Sequence, residues 1–281
     1  MPDVLDLYHS SYGNYELDAY RRVRIATYGE DLGQTSWLTT EESRAIPQLL
    51  GLTSASFVLE IGCGSGRYAL QIAESVGCRV RGVDINAPGI GIATQLVRAR
   101  NMDSQVCFQQ ADVSQQLPFA EHSYDAVFAN DVLCHVPERL SLLRELLRVL
   151  KPGGRMLFSD ALIVGGMVSQ EEIATRSSIG FYLFSPYGEN ERLIELAGFR
   201  LLQVADTTEN AAQIAMRWHD ARQAMREELI KAEGQANFEG VQKFLLCVHT
   251  LTSERRLLRC VYLAQKPDQH TSTDSSPSRS S

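Results

Sequence analysis

Between residues 57 and 160, short apolar runs alternate with stretches whose apolar positions recur at helical spacing. "FVLEIG", "CRVRGVDI", "QVCFQQAD", "YDAVFAND" and "RMLFSDA" are the apolar runs and predict five strands. "RYALQIAESV" places Ala69, Ile72, Ala73 and Val76 on one helical face. "PGIGIATQLVRARN" opens on Pro88 and reads as the next helix. "PERLSLLRELLRVL" aligns Leu140, Leu143, Leu147 and Leu150 in a stripe, and "KPGG" stops it because Pro152 cannot continue a helix. Strict alternation of this kind predicts a doubly wound α/β fold, a mostly parallel sheet with helices on both faces.

Outside that block the pattern changes. Residues 163–190 read as an inserted loop and helix. "YGENERLIELAG" predicts a helix ending at Gly198, and "FRLLQVAD" a sixth strand. Residues 208–252 read as two long helical stretches separated by Gly234 and Gly240, a cap between the last two strands. "RRLLRCVYLAQK" predicts the final strand. The expected division is therefore an N-terminal helical lid segment over 1–50, a main domain over 51–266 and a tail over 267–281. That tail is Ser-rich and nearly free of apolar residues, so it is expected to be disordered.

Composition narrows the function. The chain has 281 residues, 44% of them hydrophobic, with a formal net charge of -7. An acidic chain without a basic stripe is a poor binder of phosphate backbones, so no nucleic-acid partner is expected. The N-terminus has no basic and apolar leader, and no apolar run approaches the ~20 residues of a membrane span. A cytoplasmic protein with no membrane partner is the expectation. The six cysteines contain no Cys-x-x-Cys pair, which favours reduced, buried thiols over disulfides or a metal site.

The chemistry begins at "LEIGCGSG", where strand one turns into a helix through Gly62, Gly64 and Gly66. The spacing differs from Gly-x-Gly-x-x-Gly, the dinucleotide fingerprint. Alone, the loop is a weak signal, and the other reading is a tight turn with no ligand, which the strand-turn-helix context disfavours. Asp84 ends the second strand and Asp112 the third, where ligands bind in open α/β sheets. A carboxylate at Asp84 can accept two ribose hydroxyls, and Asp112 can accept from an adenine amino group. Either alone reads as a turn or cap residue. Two, on consecutive strands after a glycine loop, favour nucleoside binding.

"VLEIGCGSG", "VRGVDI", "FQQADV", "LPFAEHSYDAVFANDVLCHV" and "LLRELLRVLKPGGRMLFSD" together resemble the class I S-adenosylmethionine-dependent methyltransferases in order and spacing, over roughly residues 50 to 205. The resemblance implies a seven-stranded Rossmann-like sheet with an antiparallel last strand and S-adenosyl-L-methionine as cofactor. It implies that the glycine loop faces the methionyl part and that Glu60 helps hold its ammonium. Ile85, Val113 and Asn130 fall at the matching cofactor positions.

The segment "NDVLCHV", with Asp131 and His135, is similar to that of the phosphoethanolamine and the sarcosine/dimethylglycine N-methyltransferases. That likeness implies Asp131 and His135 at the reacting centre, Ser36 on the cofactor carboxylate, and Tyr15 of "NY" as a lid over the methyl group. Tyr8, Tyr12 and Tyr15 also fit an amphipathic N-terminal helix. Trp218, Phe181, Tyr182, Phe184 and Tyr187 are candidates for an aromatic pocket wall. Arg192, Arg217, Arg222, Arg226 and Lys243 are spaced as on a solvated face. The expected activity is methyl transfer to a small molecule, first an amine nitrogen, second an oxygen or carbon of a natural product. An NAD-dependent oxidoreductase and a silent nucleotide-binding protein are the rivals from other classes.

Overall fold

The computed structural model describes residues 5–33 and 35–268. Three helices come first: α1 (Tyr8–Gly13), α2 (Asp18–Tyr28) and α3 (Thr40–Leu50). Alternation follows: β1 (Phe57–Ile61), α4 (Arg67–Val76), β2 (Arg79–Asp84), α5 (Ala87–Ala99), β3 (Val106–Gln110), β4 (Tyr124–Asn130), α6 (Arg139–Val149) and β5 (Leu150–Val164). Then come α7 (Gln170–Arg176), β6 (Ser185–Pro186), α8 (Glu189–Ala197), β7 (Arg200–Asp206), α9 (Thr208–Ala224), α10 (Arg226–Glu233), α11 (Gln235–Ser253) and β8 (Leu257–Gln265).

The sheet runs β3-β2-β1-β4-β5-β8-β7, with the two-residue β6 paired to the end of β5. The first five strands are parallel to their neighbours, and β8 runs antiparallel to both β5 and β7. Its centre is buried on both faces, which is why β1 and β4 read as continuous apolar runs rather than alternating ones. One apolar core lies between the sheet and α6 and α8, built on Leu143, Leu146 and Phe158. A second lies under α3 and α4, built on Ile46, Ile72 and Phe128.

A third core does not involve the sheet centre. It joins α1 and α2 to α9 and α11 through Leu7, Tyr20, Val23, Trp218, Phe238 and Phe244. The N-terminal helices and the cap between β7 and β8 therefore form one apolar body.

Three expectations need correction. The cap has three helices, and Gly240 lies inside α11 rather than between helices. A Cβ at Gly240 would meet Leu5 Cδ2 at 2.3 Å, so the glycine gives α11 room for the incoming chain. The buried face of α6 is Leu142, Leu143, Leu146 and Val149, with Leu140 and Leu147 flanking it. "KPGG" does not separate α6 from β5: β5 starts at Leu150, and the segment bulges between the pairs Tyr124–Leu150 and Ala126–Arg155. The tail expectation falls, beyond Asp268, outside the described residues.

Candidate active site

A cavity of about 610 Å³ opens at the carboxyl ends of β1, β2 and β4. That is where an open α/β sheet binds ligands. Its floor is the loop from β1 into α4. Gly62 and Gly64 have φ of 71° and 51°, in the left-handed region that side chains disfavour. A Cβ on Gly62 would meet Val132 Cγ2 at 2.3 Å, and one on Gly64 the Tyr12 hydroxyl at 2.2 Å. Both glycines line the cavity. Gly66 does not. It packs beneath Phe108 and Ala93, so its role is to seat α4 on its neighbours.

Asp84 lines the cavity from the end of β2. Its Oδ2 accepts from Gly64 N at 2.8 Å and its Oδ1 from Asn86 N at 2.8 Å. Burial pushes its carboxyl above the usual range, and these two N–H groups pull it back. The Gly64 N–H is thereby committed to Asp84. Exposed Ile85 and half-buried Val113 flank the same end, with Asp112 on the rim. The Ser114 side chain first, and then Ser114 N, which donates to Asp112 at 2.9 Å, hold its carboxyl below the ordinary range. Glu60, by contrast, is buried beneath the loop and does not line the cavity. Burial first, and then Asp84, push its carboxyl well up, while Ala69 N donates to it. Its Oε2 has no partner among the described residues.

Asn130 ends β4 and lines the cavity with neither side-chain polar atom satisfied. Unpaired buried amides are uncommon, and this one is placed to take a ligand. Ser36 and Thr35 reach the cavity from the N-terminal segment, which Tyr28 anchors by donating its hydroxyl to Ser36 O at 2.8 Å. Arg67 lines the wall beside them.

His135 closes the other end. It follows β4 on a short 3₁₀ turn, Leu133–His135. Its Nδ1 lies 3.0 Å from Phe181 O, so Nδ1 carries the proton and Nε2 the lone pair. Tyr8 donates its hydroxyl to Nε2 at 3.2 Å and lies 3.4 Å from the Tyr182 hydroxyl. Burial lowers the His135 pKa, and the Phe181 carbonyl only partly opposes it. His135 is therefore neutral at neutral pH. Burial keeps the Tyr8 phenol protonated.

One expected catalytic residue is placed elsewhere, and a second is tied up in hydrogen bonds. Tyr15 does not reach His135. Its hydroxyl accepts from Arg67 Nε at 2.6 Å and its ring lies 4.2 Å under the Arg24 guanidinium, outside the main cavity. Tyr8, one helix earlier, occupies the position that Tyr15 was expected to fill.

Asp131 does line the cavity, but both oxygens of its carboxylate already accept hydrogen bonds. Oδ1 accepts from Ser159 Oγ at 2.8 Å and Arg259 Nε at 2.9 Å, and Oδ2 from Trp37 N at 2.9 Å. Its backbone φ of 57° is unusual for a non-glycine, and Asp131 N donates to Ser159 Oγ to hold it there. Asp131 thereby ties Trp37 to the turn that leads to His135.

Of the expected aromatic wall, Phe181, Tyr182 and Trp218 line the cavity. Phe184 packs in a small apolar cluster and Tyr187 is exposed. None of Arg192, Arg217, Arg222, Arg226 and Lys243 lines it, and four of them are ion-paired. Sequence reasoning missed Arg176, Trp37 and Arg259. Each sits far in sequence from the motif it contacts, so no local pattern marks it.

These groups fit S-adenosyl-L-methionine. The glycine floor admits close backbone approach, Asp84 and Ile85 suit a ribose and a base, and Asn130 offers an unsatisfied amide. The "Methyltransferase domain" family matches residues 59–158. Methyltransferase GfsG of Streptomyces halstedii is 32% identical over 166 residues, 57% of this chain and 58% of that protein. The match thus spans less than two thirds of that relative's length. The 27-O-demethylrifamycin SV methyltransferase of Amycolatopsis mediterranei is 26% identical over 263 residues, 89% of this chain and 95% of that one. Among solved structures, a Haemonchus contortus phosphoethanolamine N-methyltransferase 2 superposes with a TM-score of 0.77 at 20% identity, over 94% of this chain and 61% of that chain. Residues 59–158 thus carry a methyltransferase domain of the class I, S-adenosylmethionine-dependent type.

Proposed function

We propose that the protein transfers the methyl group of S-adenosyl-L-methionine to a hydroxyl oxygen of a small organic acceptor. The observation that carries this reading is the His135–Tyr8 pair. A neutral imidazole with its Nε2 lone pair turned to a phenol is a proton acceptor at the end of the cavity away from Asp84. An acceptor hydroxyl beside Tyr8 loses its proton as its oxygen attacks the methyl group. The proton passes to the Tyr8 oxygen while the Tyr8 proton moves to His135 Nε2. Methyl transfer itself is an in-line displacement, so positioning and exclusion of water supply most of the remaining acceleration. Asp84 and Asn130 would hold the nucleoside and methionyl parts of the cofactor, with Ser36 near its carboxylate. The N-terminal helices and the cap would act as a lid over both ligands.

A hydroxyl is favoured over an amine by charge. The only carboxylate among the described residues near His135 in the cavity wall is Asp131, and it is already ion-paired to Arg259 and bonded to Ser159 and Trp37 N. An ammonium acceptor would have to compete with Arg259 for that anion. The near full-length match to an O-demethylrifamycin methyltransferase supports the same choice. An amine acceptor is the second reading, favoured by the spacing of Asp131 and His135. The test incubates purified protein with deuteromethyl-labelled cofactor and panels of phenols, aliphatic alcohols and amines, with products read by mass spectrometry. Labelled ethers are the expected product. Labelled amines alone would replace this reading with the second, and no product with S-adenosylhomocysteine failing to bind would overturn both.

A further inference from the structure

Five arginines are buried among the described residues: Arg24, Arg139, Arg176, Arg222 and Arg259. Four of them are ion-paired, to Asp31, Asp160, Glu233 and the Asp131–Glu42 pair respectively. Arg176, 1% exposed, makes no ion pair with a described Asp or Glu, and its Nη1 has no hydrogen-bond partner. Its hydrogen-bond partner is the neutral Tyr182 hydroxyl, and a buried charge without a counter-charge is strongly disfavoured, since guanidinium does not escape by losing its proton.

Its surroundings are aromatic. The guanidinium carbon lies 4.4 Å from the centre of the Tyr182 ring, 5.1 Å from Phe244 and 5.7 Å from Trp37. Ring faces attract a cation, but by only ~0.5–2 kcal/mol each, less than the several kcal/mol that desolvating an ion costs. The acidic groups that act on it electrostatically, Tyr182, Cys134 and Tyr8, are all pushed by burial toward their neutral forms, so none supplies an internal anion. Arg176 also lines the cavity, on the same side as His135, with the Tyr182 ring between the two: 4.4 Å from the guanidinium and 4.4 Å from the imidazole. It is the last residue of α7, in the insertion after β5.

We propose that Arg176 recognises a carboxylate on the methyl acceptor, so that the substrate is a hydroxy acid whose anion sits against this guanidinium while its hydroxyl faces Tyr8 and His135. The proposal rests on the hydroxyl-methylating reading above and names the acceptor class within it. A carboxylate is assigned rather than a phosphate because the site offers one cation in an aromatic surround. The nearby Lys243 is exposed and directed to Glu171, whereas a phosphate dianion calls for several donors or charges. The subsite also explains why a charge is kept where an apolar residue would pack: function, not stability, requires it.

The test uses full-length protein saturated with S-adenosylhomocysteine and titrates it calorimetrically with benzoate, the neutral isostere benzamide, and phenyl phosphate. A charge-assisted contact predicts benzoate binding ten- to a hundredfold tighter than benzamide, with phenyl phosphate no tighter than benzoate. Arg176→Gln should bring benzoate to the benzamide level while S-adenosylhomocysteine affinity stays within twofold. Arg176→Lys should keep part of the preference. The melting temperature of Arg176→Gln without acceptor should not fall, since a lone buried charge has been removed. Equal binding of benzoate and benzamide, tighter binding of phenyl phosphate, a preference surviving in Arg176→Gln, or no binding of any probe to the loaded protein would each overturn the assignment. If the protein methylates neutral phenols yet shows one of these results, Arg176 alone has been misassigned. If it fails to hold S-adenosylhomocysteine, the methyltransferase reading falls first.

Discussion

His135 makes proton transfer depend on pH in a direction that follows from its surroundings. Burial lowers its pKa below the ordinary 6.5. A base must be unprotonated, so kcat/KM should be flat above pH 6.5 and fall on the acid side, as pH drops through the depressed pKa. The same shift acts on stability. The unfolded chain takes up the proton more readily than the folded one, so this residue's contribution is full above pH 6.5 and is lost as pH falls toward the folded pKa. His135→Gln should lower turnover by ~10²–10⁴ and remove the acid limb of the kcat/KM profile, with S-adenosylhomocysteine affinity unchanged. Tyr8→Phe should lower turnover comparably, because the ring stays but the relay is cut. An acid limb that persists in His135→Gln would mean that another group takes the proton. At this scale the sequence marked His135, Asp84 and two of the three glycines through local motifs. It did not separate Tyr8 from Tyr15, since both lie in one tyrosine-rich segment and only the docking of α1 against residues 135 and 182 decides between them. Nor did it show that Asp131 is ion-paired, because its partner Arg259 lies 128 residues away.

Glycines show how an element's geometry, more than its composition, sets the effect of a change. Gly62 sits in the left-handed region with Val132 in the way of any Cβ. Gly91 sits in the exposed interior of α5 with no atom within 4 Å of a Cβ. Gly91→Ala should therefore stabilise by ~0.5–1 kcal/mol, by removing backbone freedom from the unfolded chain and improving helix propensity. Gly62→Ala should destabilise by ~1–3 kcal/mol through strain and should also lower cofactor affinity by deforming the cavity floor. Denaturant midpoints and calorimetry on the two variants check both signs, and a Gly62→Ala protein with wild-type stability and affinity would refute the account of the loop. Most of the sheet was legible because strands buried on both faces are unbroken apolar runs. Helix faces were less so. In α6 the leucines are dense enough that two adjoining stripes both look apolar, and packing against β5 and α8 selects Leu142, Leu143, Leu146 and Val149. Gly240 reads as a break, whereas in α11 it answers to Leu5, a residue 235 positions earlier.

Across the whole molecule, the wall of the cavity is shared between two bodies. The sheet supplies Gly62, Asp84 and Asn130, while the N-terminal segment supplies Tyr8, Tyr12, Ser36 and Trp37. The N-terminal helices are held by the third apolar core and by a buried polar seam: Glu233 pairs with Arg222, and Tyr20 donates to Glu233 Oε2 at 2.7 Å beside Ser10. All of these residues belong to α1, α2, α9 and α10, so the seam fastens the N-terminal helices to the cap rather than to the sheet. Glu233→Gln should then uncouple the lid without touching the catalytic groups. It leaves Arg222 buried and unpaired, a change worth ~3–5 kcal/mol in comparable sites. Because the free energy is lost locally, the amides of α1 and α2 should exchange with solvent much faster while those of β1, β4 and β5 stay protected. Cofactor affinity should fall with the loss of Ser36 and Tyr12 from the wall. Replacing both partners with methionine, Arg222→Met with Glu233→Met, removes the orphaned charge and should restore protection of α1 and α2. If exchange in Glu233→Gln rises equally in the sheet and the N-terminal helices, the molecule unfolds as one unit and the lid has no independent freedom. If exchange rises nowhere, the third apolar core alone holds the lid and the seam is dispensable.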